Sequence, residues 1–205
     1  MSATALSPAR APSPAAFVDR DGVINELTAD PDSGRPESPL RVQDVILVAG
    51  AAAALRRIAA AGLLLVGVSN QPAAAKGTVS RAELDAVQQR VIDLLAVEDV
   101  RFDAFRACLH HPDGIVPELT GACDCRKPAP GMLLDAAREL EIDLTGSWMI
   151  GDTDSDVQAG AAAGCRTILV EHPGSAHKRV HDARPDAIVP DLGAAAAVIL
   201  SRLRL

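Results

Sequence analysis

Two aspartates stand two positions apart in the run Phe17-Val18-Asp19-Arg20-Asp21-Gly22, where an apolar stretch stops. Asp is a poor strand former, so the plain reading makes both of them turn residues. Paired carboxylates can also act as a nucleophile beside a proton donor, or grip a hard cation. Three more polar groups repeat the theme: Ser69-Asn70-Gln71, Arg126-Lys127-Pro128 and Gly151-Asp152-Thr153-Asp154-Ser155-Asp156. Taken singly, the first suits a turn, a lone Lys is usually a solvated charge, and Asp residues stabilise a helix N-terminus. Taken together they supply a hydroxyl, amides, cations and an acidic cluster suited to oxygen ligation.

A second constellation is Cys108-Leu109-His110, twelve residues, then Cys123-Asp124-Cys125. Three thiolates and an imidazole fill a tetrahedral zinc shell, which marks a structural ion rather than a catalytic one. The one-residue spacers depart from the commoner two-residue ones, and the competing reading is isolated core thiols. The stretch is polar and contains Pro and Gly, so it offers little core to enter. Zinc there would clamp the loop directly upstream of Arg126 and Lys127. Cys165, at a strand start, reads as a small buried hydrophobe. His111, His172, His177 and His181 read as surface residues, with His111 a substitute ligand.

These groups need elements that bring them together. Short apolar runs alternate with amphipathic ones, the pattern of strands alternating with helices in a parallel sheet. The runs are Ala16–Asp19, Leu63–Ser69, Phe105–Leu109, Trp148–Gly151, Thr167–Val170 and Ala187–Val189. Gly50–Ala61 reads as a helix closed by Gly62, and Ser80–Ala96 opens with Ser80 and Glu83 at capping-box spacing. Pro130–Glu141 starts on a first-turn Pro, Asp156–Ala163 ends at Gly164, and Asp191 suits the cap of a last helix. Right-handed crossovers then give an α/β domain, a three-layer, doubly wound, Rossmann-like parallel sheet whose functional edge lies at the carboxyl ends of the strands. Gly22–Leu47 and His110–Lys127 fit neither period, and long irregular segments in a compact domain usually carry function.

Composition narrows the classes. The 205 residues, 48% of them apolar, suffice for one domain over 15–205, preceded by a Pro- and Ala-rich tail over 1–14 expected to be disordered. A net charge of −7 and 2% aromatics argue against nucleic-acid and anionic-membrane partners. Without an apolar run of roughly 20 residues or a signal-like start, the expected location is cytoplasmic, which suits the reduced cysteines. A monomer or weak homo-oligomer is expected.

In order and strand context, the Asp19-x-Asp21-Gly22, Ser69-Asn70, Lys127 and Gly151-Asp152-x-x-x-Asp156 groups resemble the four motifs of the haloacid dehalogenase superfamily, over about Phe17 to Val189. The resemblance implies that Asp19 attacks phosphorus and that Asp21 acts first as acid, then as base. It also implies magnesium held by the carboxylates of Asp19 and Asp152 and the backbone carbonyl of Asp21. Lys127 and Ser69 are then charge-neutralising donors, with Asp156 orienting Lys127 or metal-bound water. Such donors suit a carboxylate attacking an anionic phosphate, where loss of one typically costs about 3 kcal/mol of barrier. Asp21 argues for a phosphatase and against dehalogenation, which has no alkoxide to protonate.

The Cys-x-His and Cys-x-Cys-Arg-Lys-Pro pattern, with zinc loop 108–125, is similar to a nearly capless branch, the D,D-heptose 1,7-bisphosphate 7-phosphatases and histidinol phosphatases. The expectation is a phosphorylated small-molecule sugar, with the 7-phosphate of heptose 1,7-bisphosphate first and histidinol phosphate or another monophosphate as alternatives. Arg20, Asn70, Gln71, Arg126 and Lys127 are the expected substrate contacts. Departures weigh on the substrate: Leu27-Thr28-Ala29-Asp30 replaces a usual Asp-His-Gly-Tyr-like segment, Pro72-Ala73 a Ser-Gly, and Thr153 a Lys. A phosphotransferase lacks the cap it would need here. A non-catalytic binding module should have lost one of Asp19, Asp21, Lys127 or Asp152.

Overall fold

The structure is a computed structural model that describes residues 12–30, 34–180 and 182–203. Strand β1 (Ala15–Val18) is followed by two short strands, β2 (Thr28–Ala29) and β3 (Pro36–Glu37), then by helix α1 (Ala51–Ala60). Next come β4 (Leu64–Asn70), α2 (Arg81–Val97), β5 (Ala104–Cys108) and α3 (Gly131–Leu140). The chain closes with β6 (Trp148–Gly151), α4 (Asp154–Ala163), β7 (Arg166–Val170), β8 (Ala187–Val189) and α5 (Leu192–Leu203). Six strands form one sheet in the order β5-β4-β1-β6-β7-β8, every neighbouring pair parallel. The chain therefore winds away from β1 in one direction through β4 and β5, and in the other through β6, β7 and β8. The reversal between β1 and β6 opens the crevice in which such sheets hold their ligands.

Side-chain alternation along each strand feeds two cores, as a doubly covered sheet requires. Ala16 and Val18 of β1 join Leu55 and Ile58 of α1 and Ile199 of α5 on one face. Ala15 and Phe17 join Leu133 and Ala136 of α3 and Ala159 of α4 on the other. The Ser80–Glu83 capping box forms as the spacing predicts, and Asp191 Oδ1 accepts from the Ala194 N–H at 2.8 Å. α4 starts at Asp154, two residues before the expected Asp156, because Thr153 and Asp156 make a second capping box.

Of the expected tail, residues 1–11 lie outside the described residues. Ser13 and Pro14 correct its boundary, since the Asp143 N–H donates to Ser13 O at 3.0 Å and the Leu64 N–H to Pro14 O at 3.0 Å. The irregular segment after β1 folds back on itself: β2 and β3 pair antiparallel, and Asn25 bridges Leu47 at its base. It overhangs the sheet edge as a small flap. Among the described residues no helix is long and apolar enough to cross a membrane.

Candidate active site

Backbone pairing carries β1 one step past its last apolar residue, the Asp19 N–H donating to Ile150 O at 2.8 Å. This sets Asp19 at the carboxyl edge beside Asp152, which follows β6. Lys127 arrives from the loop before α3, where Asn70 clamps its backbone: the Asn70 amide donates to Lys127 O at 3.0 Å and accepts from Lys127 N–H at 3.1 Å. The ammonium then meets three acceptors, Asp19 Oδ1 at 2.7 Å, Val68 O at 2.9 Å and Asp156 Oδ1 at 2.6 Å. Burial pulls the Lys127 pKa down, but Asp156 and Asp19 outweigh it, and the group sits well above its ordinary value. It is a fixed positive charge.

Asp156 has its other oxygen occupied by the Thr153 N–H and hydroxyl, which leaves Oδ1 directed at Lys127. Asp152 is driven in the opposite sense: burial, then the charge of Asp156, pushes its carboxyl up to about 6. Burial likewise raises Asp19 well above the usual carboxylate range. Carboxylate oxygens of Asp19, Asp152 and Asp156 lie within 4.8 Å of one another. Asp19, Asp21, Asp152 and Asp156 are all buried, against the buried cations Arg20 and Lys127. That surplus of negative charge in a set of hard oxygen donors fits a divalent cation such as magnesium.

Asp21 is held differently. Its two oxygens accept from Arg20 Nε and Nη2, both at 3.0 Å, from the Asn25 amide at 3.0 Å and from the Gln71 amide at 2.6 Å. Burial alone would raise its pKa, yet Arg20 and these amides bring it below the ordinary value. This corrects two expected substrate contacts. Arg20 and Gln71 are 1% and 2% exposed; they lie beneath the carboxylate and aim it, Arg20 Nη1 donating to Gln88 Oε1 at 3.2 Å. Asn70 lines the cleft, but its amide is committed to the Lys127 backbone. The Ser69 hydroxyl accepts from Gln71 at 2.7 Å and faces Asp21 at 3.4 Å, at the cleft wall.

Above these groups opens a cleft of about 280 Å³ whose rim carries Lys76, Arg126, Lys178 and Glu37. Arg126 reaches that rim from beside Lys127, with Nη1 donating to His110 O at 3.3 Å. The strap Pro173–Lys178, after β7, went unread in the sequence. Its Ser175 hydroxyl donates to Asp152 Oδ2, Arg179 Nη1 donates to Asp152 O at 3.0 Å, and Lys178 pairs with Glu37 of the flap at 2.7 Å. His172 is half-buried and 3.6 Å from Glu26, so it is not the plain surface residue expected. The available signal was the basic run His177-Lys178-Arg179, just past an apolar strand at the edge that bears every other motif.

The sulfur cluster sits at the end of β5. Cys108 Sγ lies 3.0 Å from Cys125 Sγ and 3.6 Å from Cys123 Sγ, and His110 Nδ1 lies 3.5 Å from Cys125 Sγ. All four cysteines are free. A tetrahedral shell with zinc–sulfur bonds of about 2.3 Å has sulfur–sulfur edges of roughly 3.8 Å, so the donors need only small shifts to hold a zinc ion. Cys165 is apart from them and buried, its thiol pushed up to about 12 by that burial.

Residues 124–195 match the family described as HAD-hydrolase-like. The chain is 42% identical over 161 residues to the D-glycero-β-D-manno-heptose-1,7-bisphosphate 7-phosphatase of Rhodopseudomonas palustris, covering 78% of this chain and 83% of that one. The enzyme of the same name from Yersinia pestis is 34% identical, with coverage of 93% and 97%. Among solved structures, a D,D-heptose 1,7-bisphosphate phosphatase from B. bronchiseptica complexed with magnesium and phosphate superposes with a TM-score of 0.76 at 31% identity, covering 92% of this chain and 99% of that one.

Proposed function

Since the chain belongs to the haloacid dehalogenase-like phosphatases, in the family of the D-glycero-β-D-manno-heptose-1,7-bisphosphate 7-phosphatases, we propose that it hydrolyses the 7-phosphate of D-glycero-D-manno-heptose 1,7-bisphosphate through an aspartyl-phosphate on Asp19. The observation that carries this is Lys127, locked between Asp19 and Asp156 at the sheet edge. It holds one Asp19 oxygen and leaves the carboxylate facing a cleft lined with cations.

In the first half-reaction an Asp19 oxygen bonds to phosphorus as the bond to the sugar oxygen breaks, and Asp21 gives that oxygen its proton. Arg20, Asn25 and Gln71 favour the ionised form of Asp21; an arriving phosphate dianion opposes that charge and favours the protonated form this step needs. In the second half Asp21 takes a proton from water, whose oxygen bonds to phosphorus as the Asp19–phosphorus linkage breaks. Lys127 offsets the charge on Asp19, and Ser69 donates toward a phosphoryl oxygen. Magnesium, held by the Asp19 and Asp152 carboxylates and the Asp21 backbone carbonyl, would neutralise phosphoryl charge. Zinc on Cys108, His110, Cys123 and Cys125 would fix the loop that delivers Arg126 and Lys127. The partner is a phosphorylated small-molecule sugar.

Phosphate release across sugar bisphosphates, sugar monophosphates, histidinol phosphate and nucleotides, with magnesium present, tests the reading. The heptose bisphosphate should give the highest kcat/KM. A tenfold preference for histidinol phosphate or any monophosphate would overturn the substrate and leave the chemistry.

A further inference from the structure

Lys127 is spent on Asp19, Asp156 and Val68 O, and Arg20 on Asp21, so neither buried cation is free for a second anionic group of the substrate. Thr153 offers none, its hydroxyl being used on Asp156 at 2.6 Å. Any further anion must be met at the rim. There Lys178 projects from the strap into the cleft wall, 30% exposed, and its Nζ is held 2.7 Å from Glu37 Oε2 on the flap. It lines the same cleft as Asp19 and Asp152. Glu37 is 44% exposed and also lies 3.8 Å from His177. A carboxylate at the mouth of an anion-binding cleft is out of place unless it serves the cation beside it.

We propose that Lys178 is a specificity-determining residue that receives the substrate's second phosphate together with Arg126, and that Glu37 is an exchangeable counter-ion occupying Lys178 until that phosphate displaces it. The proposal rests on the phosphatase reading above. A phosphate carries more charge and more acceptor oxygens than a carboxylate, so the exchange favours the substrate once it is bound. The same exchange frees the flap from the strap. Because the strap also carries Ser175 on Asp152, engagement of the distal phosphate is transmitted mechanically to the reaction centre.

The test is initial-rate kinetics of the full chain, magnesium present, on a sugar 1,7-bisphosphate and on the matching 7-monophosphate. Lys178→Gln should raise KM for the bisphosphate about tenfold, the loss expected of one charge-assisted hydrogen bond, while changing KM for the monophosphate less than twofold. Lys178→Arg should restore the discrimination, and Glu37→Gln should lower KM for the bisphosphate at least twofold. Melting temperatures of the variants identify a folding loss. Equal KM changes on both substrates, or a bisphosphate KM untouched by Lys178→Gln, overturn the proposal while the parent's activity keeps the phosphatase reading intact. A parent that releases phosphate from neither substrate sinks both.

Discussion

Asp152 bears the sharpest conflict among single residues, a carboxylate buried against Asp156 and Asp19 with one hydroxyl to satisfy it. Without metal it keeps its proton up to about pH 6, against 3.8 for an ordinary Asp. The folded state is thus the tighter proton binder, and the stability this contributes is complete below about pH 4 and lost as pH rises through about 6. An amide has no charge to desolvate. Asp152→Asn should therefore raise the stability of chelator-treated protein near pH 7 by roughly 3 kcal/mol, a gain that fades below about pH 4. Urea unfolding at the two pH values measures it, and magnesium should stabilise the parent but not the variant. A variant less stable than the parent near pH 7 would contradict the crowding of charge described here.

At the scale of elements, the cysteine loop and the Gly22 turn are the parts that aim chemistry without performing it. Freshly purified protein should contain about one zinc per chain, and its removal should lower the melting temperature. Alkylation should then modify the half-buried Cys123 and Cys125 but spare Cys165, which is 8% exposed with a thiol near 12. Protein without zinc, or with Cys165 as the reactive thiol, would refute the assignment. Gly22 turns the chain at φ +86°, and a Cβ there would lie 2.2 Å from Asp152 Oδ2. Gly22→Ala should cost about 1–2 kcal/mol in backbone strain and lower kcat/KM roughly tenfold by displacing that carboxylate, read by unfolding and kinetics on one preparation. The strands, the helix caps and the cysteine cluster were legible because period, capping chemistry and ligand type are local properties. Arg20 and Gln71 misled because a cation or amide beside a catalytic Asp looks the same in sequence whether it faces the cleft or lies beneath it. The strap was illegible because Ser175 and Lys178 acquire their roles only when β7 is placed next to β6 and the flap folds over from the other end of the chain.

The whole molecule separates holding from reacting. Two cores grip the sheet from opposite faces, with Leu55 on one side and Leu133 on the other, both fully buried. Leu55→Ala and Leu133→Ala should each cost about 2–5 kcal/mol of stability while leaving kcat within twofold, measured below the variants' melting temperatures; a selective loss of kcat would show that a core face takes part in the reaction. Against a net charge of −7 the chain sets Lys76, Arg126 and Lys178 at the rim of a cleft whose floor carries Asp19, Asp21, Asp152 and Asp156, so attraction of an anionic substrate rests on these few rim cations and on the cation the acidic floor would hold, not on the overall field. Everything converges on Asp19. The decisive measurement is magnesium-dependent phosphate release from heptose 1,7-bisphosphate by Asp19→Asn, with the intact mass of Asp21→Asn followed after substrate is added. The account predicts no release above background by Asp19→Asn in a folded protein, and one phosphoryl group accumulating on Asp19 of Asp21→Asn. Activity of Asp19→Asn within tenfold of the parent, with no adduct on Asp21→Asn, would contradict it.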